Sequence, residues 1–267
     1  MYAKLLIALW QNFKMRAKIS IDHIVYNYDT KKPIDISIPL RAGKENVNAW
    51  YVDPVKIAPV ITDQFVGSVK LGGAVNFNNI AFNPHGNGTH TECVGHISKE
   101  DYSINNCLKE FFFSAKLISI NPEKIGEDEV ITKDQVKNAW ESQGEKAEAV
   151  IIRTLDNPKE KINKQYSNTN PPYIEVDAVN YLLAEGIEHL LIDLPSVDRE
   201  YDDGVLAAHH AFWEYPKNTQ KHRTITELIY VPNEVEDGFY LMNLQIASFE
   251  NDASPSKPIL YRLEPES

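Results

Sequence analysis

The sequence is short of cysteine, of cationic residues and of long apolar runs, and each shortage removes a class of protein. Two cysteines, Cys93 and Cys107, in 267 residues are too few for a disulfide framework, which fits a reducing compartment and leaves a single bridge between them open. Cys93 lies inside a histidine cluster where a soft ligand is conceivable, but a free cysteine is more often a small buried apolar residue. Lysine and arginine number 27 against 38 aspartates and glutamates, a formal net charge of −11. An acidic surface of that size repels phosphate backbones and anionic lipid, so neither nucleic acid nor a membrane is an expected partner. Near the N-terminus only Leu5 to Trp10 is continuously apolar, too short for a signal-peptide core or a membrane span, and no small-residue cleavage site follows. A cytoplasmic protein is expected. Patterned sequence begins only after Met15, which makes that methionine a candidate start. No internal repeat, low-complexity tract or linker divides the chain.

What is present is an ordinary globular composition, 43% hydrophobic and 24% charged, long enough for one domain with a sizeable core. Residues 19–40 read as strand, turn, strand, with the turn at residues 29–33 and His23 inside the first strand. Residues 41–83 read as loops with brief strands, in which Trp50, Tyr51 and Phe65 either line a pocket mouth or cap the core. Residues 111–120, 147–155 and 189–194 are apolar runs with β character. Between them Thr132 and Gln135 form a capping-box pattern that predicts a helix over 133–143. A second helical pattern over 176–185 stops at Gly186. Strand, helix, strand, twice over, implies a parallel α/β core with right-handed crossovers. Residues 156–172 are polar and expected to be an exposed loop. Residues 224–231 and 238–249 are expected to form an antiparallel pair that closes the sheet.

Chemistry concentrates in residues 83–98, NPHGNGTHTECVGHIS. In an extended chain side chains alternate with period 2, so His90 and Glu92 face the same way and can share one cation. Imidazole and carboxylate are the donor set of zinc, manganese or iron. His96 has the same parity, although Gly95 interrupts the pattern. A second group lies downstream: His209 and His210 follow the acidic stretch 198–203, and Glu227 stands alone in an apolar strand. A carboxylate there needs a cation, an arginine or an exposed edge, and a metal satisfies it best.

Several stretches resemble the cyclase-type metal hydrolases that include bacterial kynurenine formamidase and isatin hydrolase. They are IDISIPL near the start, GNGTHTECVGH at 86–96, IIRTLD at 151–156, GIEHLLIDLPSVD at 186–198, AHHAFW at 208–213, and TELIYVP with DASPSKPIL at the end. The similarity runs from about Ile34 to Leu260. Against the family motif His-x-Gly-Thr-His-x-Asp-x-Pro-x-His, the chain keeps Gly88, Thr89, His90 and His96. The first histidine falls on Gly86, the aspartate on Glu92 and the proline on Val94.

The resemblance implies a single α/β domain over residues 20–265, a mixed sheet with flanking helices of the swivelling β/β/α type, after an N-terminal extension of residues 1–19. It implies that His90, Glu92, His209 and Glu227 bind a divalent metal, zinc first and manganese second, and that His96 moves a proton. The gap between His209 and Glu227 reads as lengthened by a loop at 214–221. His85 is a further candidate ligand; on a regular strand it would face away from the site, so it needs a bulge to take part. The implied activity is hydrolysis of a small amide such as N-formylkynurenine, an arylformamidase reaction of tryptophan catabolism, in a homo-oligomer acting on a small-molecule substrate. Two other readings are a non-haem iron oxygenase, since His-x-Glu with a distant histidine is also the facial-triad pattern, and a scaffold that keeps a structural metal without activity, for which the changes at Gly86, Glu92 and Val94 argue.

Overall fold

The apolar runs in the middle of the chain are strands buried on both faces, and the alternation of their side chains separates two cores. In the computed structural model, which describes residues 15–266, the strands Phe112–Ile120, Ala149–Thr154 and His189–Ile192 lie side by side in parallel. Ile118, Val150, Ile152, Leu190 and Ile192 face a helical layer, packing with Val136 and Trp140 of the helix Lys133–Glu141 and with Ala178, Val179 and Leu182 of the helix Val176–Ala184. The expected ends of both helices are present. The Gln135 side chain accepts the Thr132 N–H at 3.1 Å, and Gly186 takes a φ of 89° behind the second helix.

The alternate residues Ala115, Leu117, Ala149, Ile151 and Leu191 fill the inside of a closed barrel, joined there by Met242, Leu244 and Leu260. Its strand order is Gly238–Ile246, Phe112–Ile120, Ala149–Thr154, His189–Ile192, Thr224–Glu227, His90–Glu92 and Ala253–Arg262, and the last pairs back onto the first. The expected mixed sheet with flanking helices is therefore present, and it closes on itself.

The closure differs from the sequence expectation. The stretch 224–231 does not pair with 238–249: Thr224–Glu227 is inserted between His189–Ile192, to which it is parallel, and His90–Glu92, to which it is antiparallel. The chain leaves that strand at Leu228, whose φ is 53°. Gly238–Ile246 pairs instead with Phe112–Ile120 and with the late strand Ala253–Arg262, in which Pro255 and Pro258 obscure the strand pattern. His23 is not within a strand either. It forms a two-residue turn with Asp22, both at positive φ, that joins Arg16–Ile21 to Ile24–Asp29. Nor is the polar stretch 156–172 wholly exposed, because Asn157, Lys161 and Tyr166 are buried, with Lys161 Nζ 2.8 Å from Asp193 Oδ2.

Residues 56–81 form two small hairpins, Lys56–Pro59 with Asn78–Ala81 and Ile61–Thr62 with Phe65–Val66. Ile57, Ile61, Phe65, Val69, Leu71, Val75, Phe77 and Ile80 are all exposed on them. Phe65 thus belongs to this arm, where it packs edge-on against Phe77.

His189 makes the core sensitive to acid. It is buried against Phe113 and shares a 2.8 Å hydrogen bond between Nδ1 and Thr224 Oγ1. Burial, helped by the charge of His222, pushes its pKa down to about 3. The unfolded chain takes up a proton here near pH 6.5 while the folded one does not, so stability is lost as pH falls from about 6.5 towards 3. Urea denaturation at pH 7 and pH 5 should show wild type losing more stability over that interval than His189→Gln.

Candidate metal centre

One end of the barrel carries the histidine cluster, and strand register builds its core. In the antiparallel pairing of Thr224–Glu227 with His90–Glu92, Glu227 lies directly opposite His90. On the other face Thr91 and Thr226 share a 2.7 Å hydrogen bond, which pins that register. His90, Glu92 and Glu227 are all buried, so the expected common face of His90 and Glu92 exists and Glu227 joins it. The strand bearing Glu227 is internal to the barrel, which removes the exposed-edge explanation of its charge.

His209 enters from the helix Ala207–Trp213. Asp198 accepts the backbone N–H groups of Ala208 and His209 at 2.8 and 3.1 Å and holds His209 Nδ1 at 2.6 Å. The ring's Nε2 then lies 3.1 Å from Glu92 Oε1 and 3.8 Å from Glu227 Oε1. His85 sits on the single helical turn Pro84–Asn87, with Nε2 2.9 Å from Asp252 Oδ2 and Nδ1 3.1 Å from Glu92 Oε2. His96 ends the short helical turn Val94–His96, with Nδ1 3.3 Å from the same Asp252 oxygen and Nε2 3.9 Å from Glu92 Oε2. His90 completes the set, with Nδ1 3.0 Å from the Gly88 carbonyl and Nε2 3.4 Å from Glu227 Oε2.

Each of the four imidazoles is thus held through one nitrogen by an oxygen outside the cluster and turns the other towards Glu92 or Glu227. Metal-binding histidines are oriented in this way. Two inward atoms, His90 Nε2 and Glu92 Oε2, are buried without a hydrogen bond, because the approach of His85 to the latter is close but not aligned for one. Orphaned donor atoms are costly in an interior, and a cation would satisfy both. Two groups of three donors share Glu92, His85 with Glu92 and His96, and His90 with Glu92 and Glu227, while His209 meets both carboxylates from the side, 3.1 Å from Glu92 and 3.8 Å from Glu227. Nitrogen and carboxylate donors in such groups suit zinc or manganese.

The charges of the cluster compensate one another. Burial disfavours a charged His209, but hydrogen bonds to Asp198 and Glu92 outweigh it and push its pKa up to about 10. Burial likewise opposes charge on His85, and Asp252 with Glu92 raises it to about 10. Burial would raise the pKa of Glu92, yet the surrounding His96, His209 and His85 hold it well below the usual carboxylate range. Beside the cluster lies a cavity of about 420 Å³ walled by Trp50, Val52, Leu206 and Arg199. Trp50 and Leu206 adopt left-handed φ angles of 58° and 44°, a conformation that costs side chains roughly 1–3 kcal/mol and collects at functional sites. Of the aromatic residues expected at a pocket mouth, Trp50 lines the cavity, whereas Tyr51, also at a left-handed φ of 59°, is exposed.

Residues 34–199 match the family described as "Putative cyclase". The chain belongs to the cyclase family. It is 24% identical to a kynurenine formamidase of Bacillus cereus over 233 residues, covering 86% of this chain and 98% of that one. Among solved structures it is similar to a potential metal-dependent hydrolase with cyclase activity, with a TM-score of 0.62, 18% identity and coverage of 88% and 99%. It is also similar to an isatin hydrolase bound to the product analogue thioisatinate, with a TM-score of 0.60, 17% identity and coverage of 88% and 93%.

Against the cyclase motif, the departure at Gly86 now has a physical reading. A Cβ there would lie 2.6 Å from Val52 Cγ2 and 2.8 Å from the Ala49 carbonyl oxygen, so this backbone has no room for a histidine at 86. The neighbouring imidazole of His85 lies instead 3.1 Å from Glu92 Oε2. The expectation that His85 needs a strand bulge is corrected, since residues 84–87 form a helical turn capped by the Asn83 side chain, which presents residue 85 to the site. Cys93 lies outside the donor groups; its thiol donates to the Tyr102 carbonyl, and both cysteines are free. His210 pairs with the Tyr215 carbonyl and does not reach the carboxylates. Sequence reasoning assigned no role to Asp252 or Asp198, although both lie in stretches that carry the family resemblance, because aspartates in loops carry no periodic signal.

Gly86→Ala should lower the melting temperature, and adding Val52→Ala should recover only part of the loss, because the Ala49 carbonyl remains in the way. Thermal unfolding of the two variants checks this.

Proposed function

We propose that this protein hydrolyses a small amide, an arylformamide such as N-formylkynurenine or a related cyclic amide, with a divalent cation held by His90, Glu92, His209, Glu227 and His85. Zinc is the first expectation and manganese the second. The observation that carries the reading is the convergence of imidazoles pinned through their outer nitrogens on two buried carboxylates with orphaned donor atoms. A divalent cation there supplies Lewis acidity, making hydroxide available near neutral pH and polarising a carbonyl.

The chain's own residues do the rest. Trp50, Val52 and Leu206 give the cavity an apolar wall that receives an aromatic ring and excludes water. His96 lines the same cavity, partly exposed, with its Nδ1 on Asp252 and its Nε2 3.9 Å from Glu92 Oε2, at the edge of the donor cluster. It removes a proton from the attacking water and returns one to the leaving nitrogen, a role worth ~10²- to 10⁴-fold. The inactive-scaffold reading loses its best argument, since His85 supplies the imidazole that Gly86 lacks. The oxygenase reading has no support in a cyclase-family fold.

A small-molecule substrate and a homo-oligomer go with this reading, and the apolar side chains along the 56–81 arm favour self-association. Light scattering that gives only the 30.4 kDa chain mass would remove the oligomer. A reducing, cytoplasmic setting fits the two free thiols. Among the described residues, no helix is long and apolar enough to cross a membrane.

Elemental analysis of protein purified without added metal should find about one or two equivalents of zinc or manganese, as a site of this donor set requires. His90→Ala and Glu227→Ala should lose that metal and the hydrolysis of N-formylkynurenine together. His96→Ala should lose turnover while keeping most of the metal; an active His96→Ala would sink its role, and no metal uptake by wild type would sink the reading.

A further inference from the structure

Asp252 belongs to none of the positions that the cyclase motif marks, yet it touches two of the histidines. It ends the loop between the strands Gly238–Ile246 and Ala253–Arg262. Its Oδ2 lies 2.9 Å from His85 Nε2 and 3.3 Å from His96 Nδ1, and the two rings stack with centroids 4.3 Å apart. The loop is tied down on both sides: the Asp252 carbonyl accepts the Cys93 N–H at 3.0 Å, and the Asn251 carbonyl accepts the Ile104 N–H at 2.8 Å. Gly95 packs beside the loop without a side chain, since a Cβ there would lie 2.1 Å from the Tyr102 carbonyl oxygen and 3.2 Å from the Asp252 Cβ.

We propose that Asp252 is a positioning residue that sets opposite tautomers in His85 and His96 through one carboxylate oxygen. The proposal rests on the functional reading above. A carboxylate accepts hydrogen bonds and cannot donate them. Its contact with His85 Nε2 places the proton there and leaves the Nδ1 lone pair facing Glu92. Its contact with His96 Nδ1 does the reverse and leaves the Nε2 lone pair at the edge of the cavity, 3.9 Å from Glu92 Oε2. Each outcome is the one its ring needs, a donor atom turned to the cation in His85 and a proton-accepting atom at the cavity edge in His96. Asp252 also makes good the loss of a histidine at 86. His85 stands on a single helical turn with its ring partly exposed, and the carboxylate supplies the orientation that a strand gives His90. Outer-shell carboxylates of this kind are worth about 10- to 100-fold in metal affinity.

The test uses the full chain loaded with zinc. Long-range ¹H–¹⁵N spectra of the histidine rings should show wild type with His85 protonated at Nε2 and His96 at Nδ1. In Asp252→Asn that pattern should be lost, zinc affinity by chelator competition should fall by about 10- to 100-fold, and kcat on N-formylkynurenine should fall more than KM changes. Asp252→Glu, which keeps the charge, should recover part of the zinc affinity, as a purely structural role would not. Unchanged tautomers and a zinc Kd within twofold of wild type in Asp252→Asn overturn the proposal even when wild type hydrolyses the amide. A wild type that hydrolyses no amide while Asp252→Asn loses both tautomers and zinc overturns the activity and leaves the positioning role standing.

Discussion

Everything at the barrel end depends on two carboxylates that the fold removes from water. Glu92 and Glu227 sit on neighbouring strands inside a closed sheet, and an unpaired buried carboxylate costs several kcal/mol. The surroundings answer that cost with nitrogen. His85, His90, His96 and His209 reach the pair from a helical turn, a strand, a second turn and a helix, so four separate pieces of chain are committed to one point. The carboxylates around them, Asp252 and Glu92 for His85 and Asp198, Glu92 and Glu227 for His209, raise the pKa of these two imidazoles to about 10 against the pull of burial. A divalent cation held by these residues would take the place of protons, and its affinity would then be coupled to pH.

Outer partners convert this cluster of charges into a defined one. Asp198 holds the helix that bears His209 by its first N–H groups and holds the ring as well. The Gly88 carbonyl does the same service for His90. Because the outer contacts fix which nitrogen faces inward, the site is organised before any ligand arrives, and little ordering remains to oppose binding.

How much of this was legible in the sequence depended on whether a residue obeyed a period. The strands at 112–120, 149–154 and 189–192 were readable because both of their faces are apolar, and His90 and Glu92 because they are two residues apart on a strand. The closing strand was hidden by Pro255 and Pro258, and with it went one partner of Gly238–Ile246. The Asp22–His23 turn lacks the glycine that usually announces such a hairpin. Lys161 lies in a polar stretch and is buried only because Asp193 and the Thr154 carbonyl receive it. Asp198 and Asp252 act across 11 and 167 residues of sequence respectively, a separation at which no local pattern survives.

The two departures within the motif are connected through Glu92. Its Oε1 faces His209, from the second half of the chain, and its Oε2 faces His85, from the first. One side chain is therefore shared between imidazoles from both halves of the chain, and the one at Oε2 belongs to residue 85, while residue 86 is packed against Ala49 and Val52. A chain drifting from function has no reason to keep a second histidine aimed at that carboxylate, nor an aspartate behind it to hold the ring. The changes at 86 and 92 leave the types of donor atom at the site intact, so a glycine in the place of a histidine is not evidence of an inert scaffold.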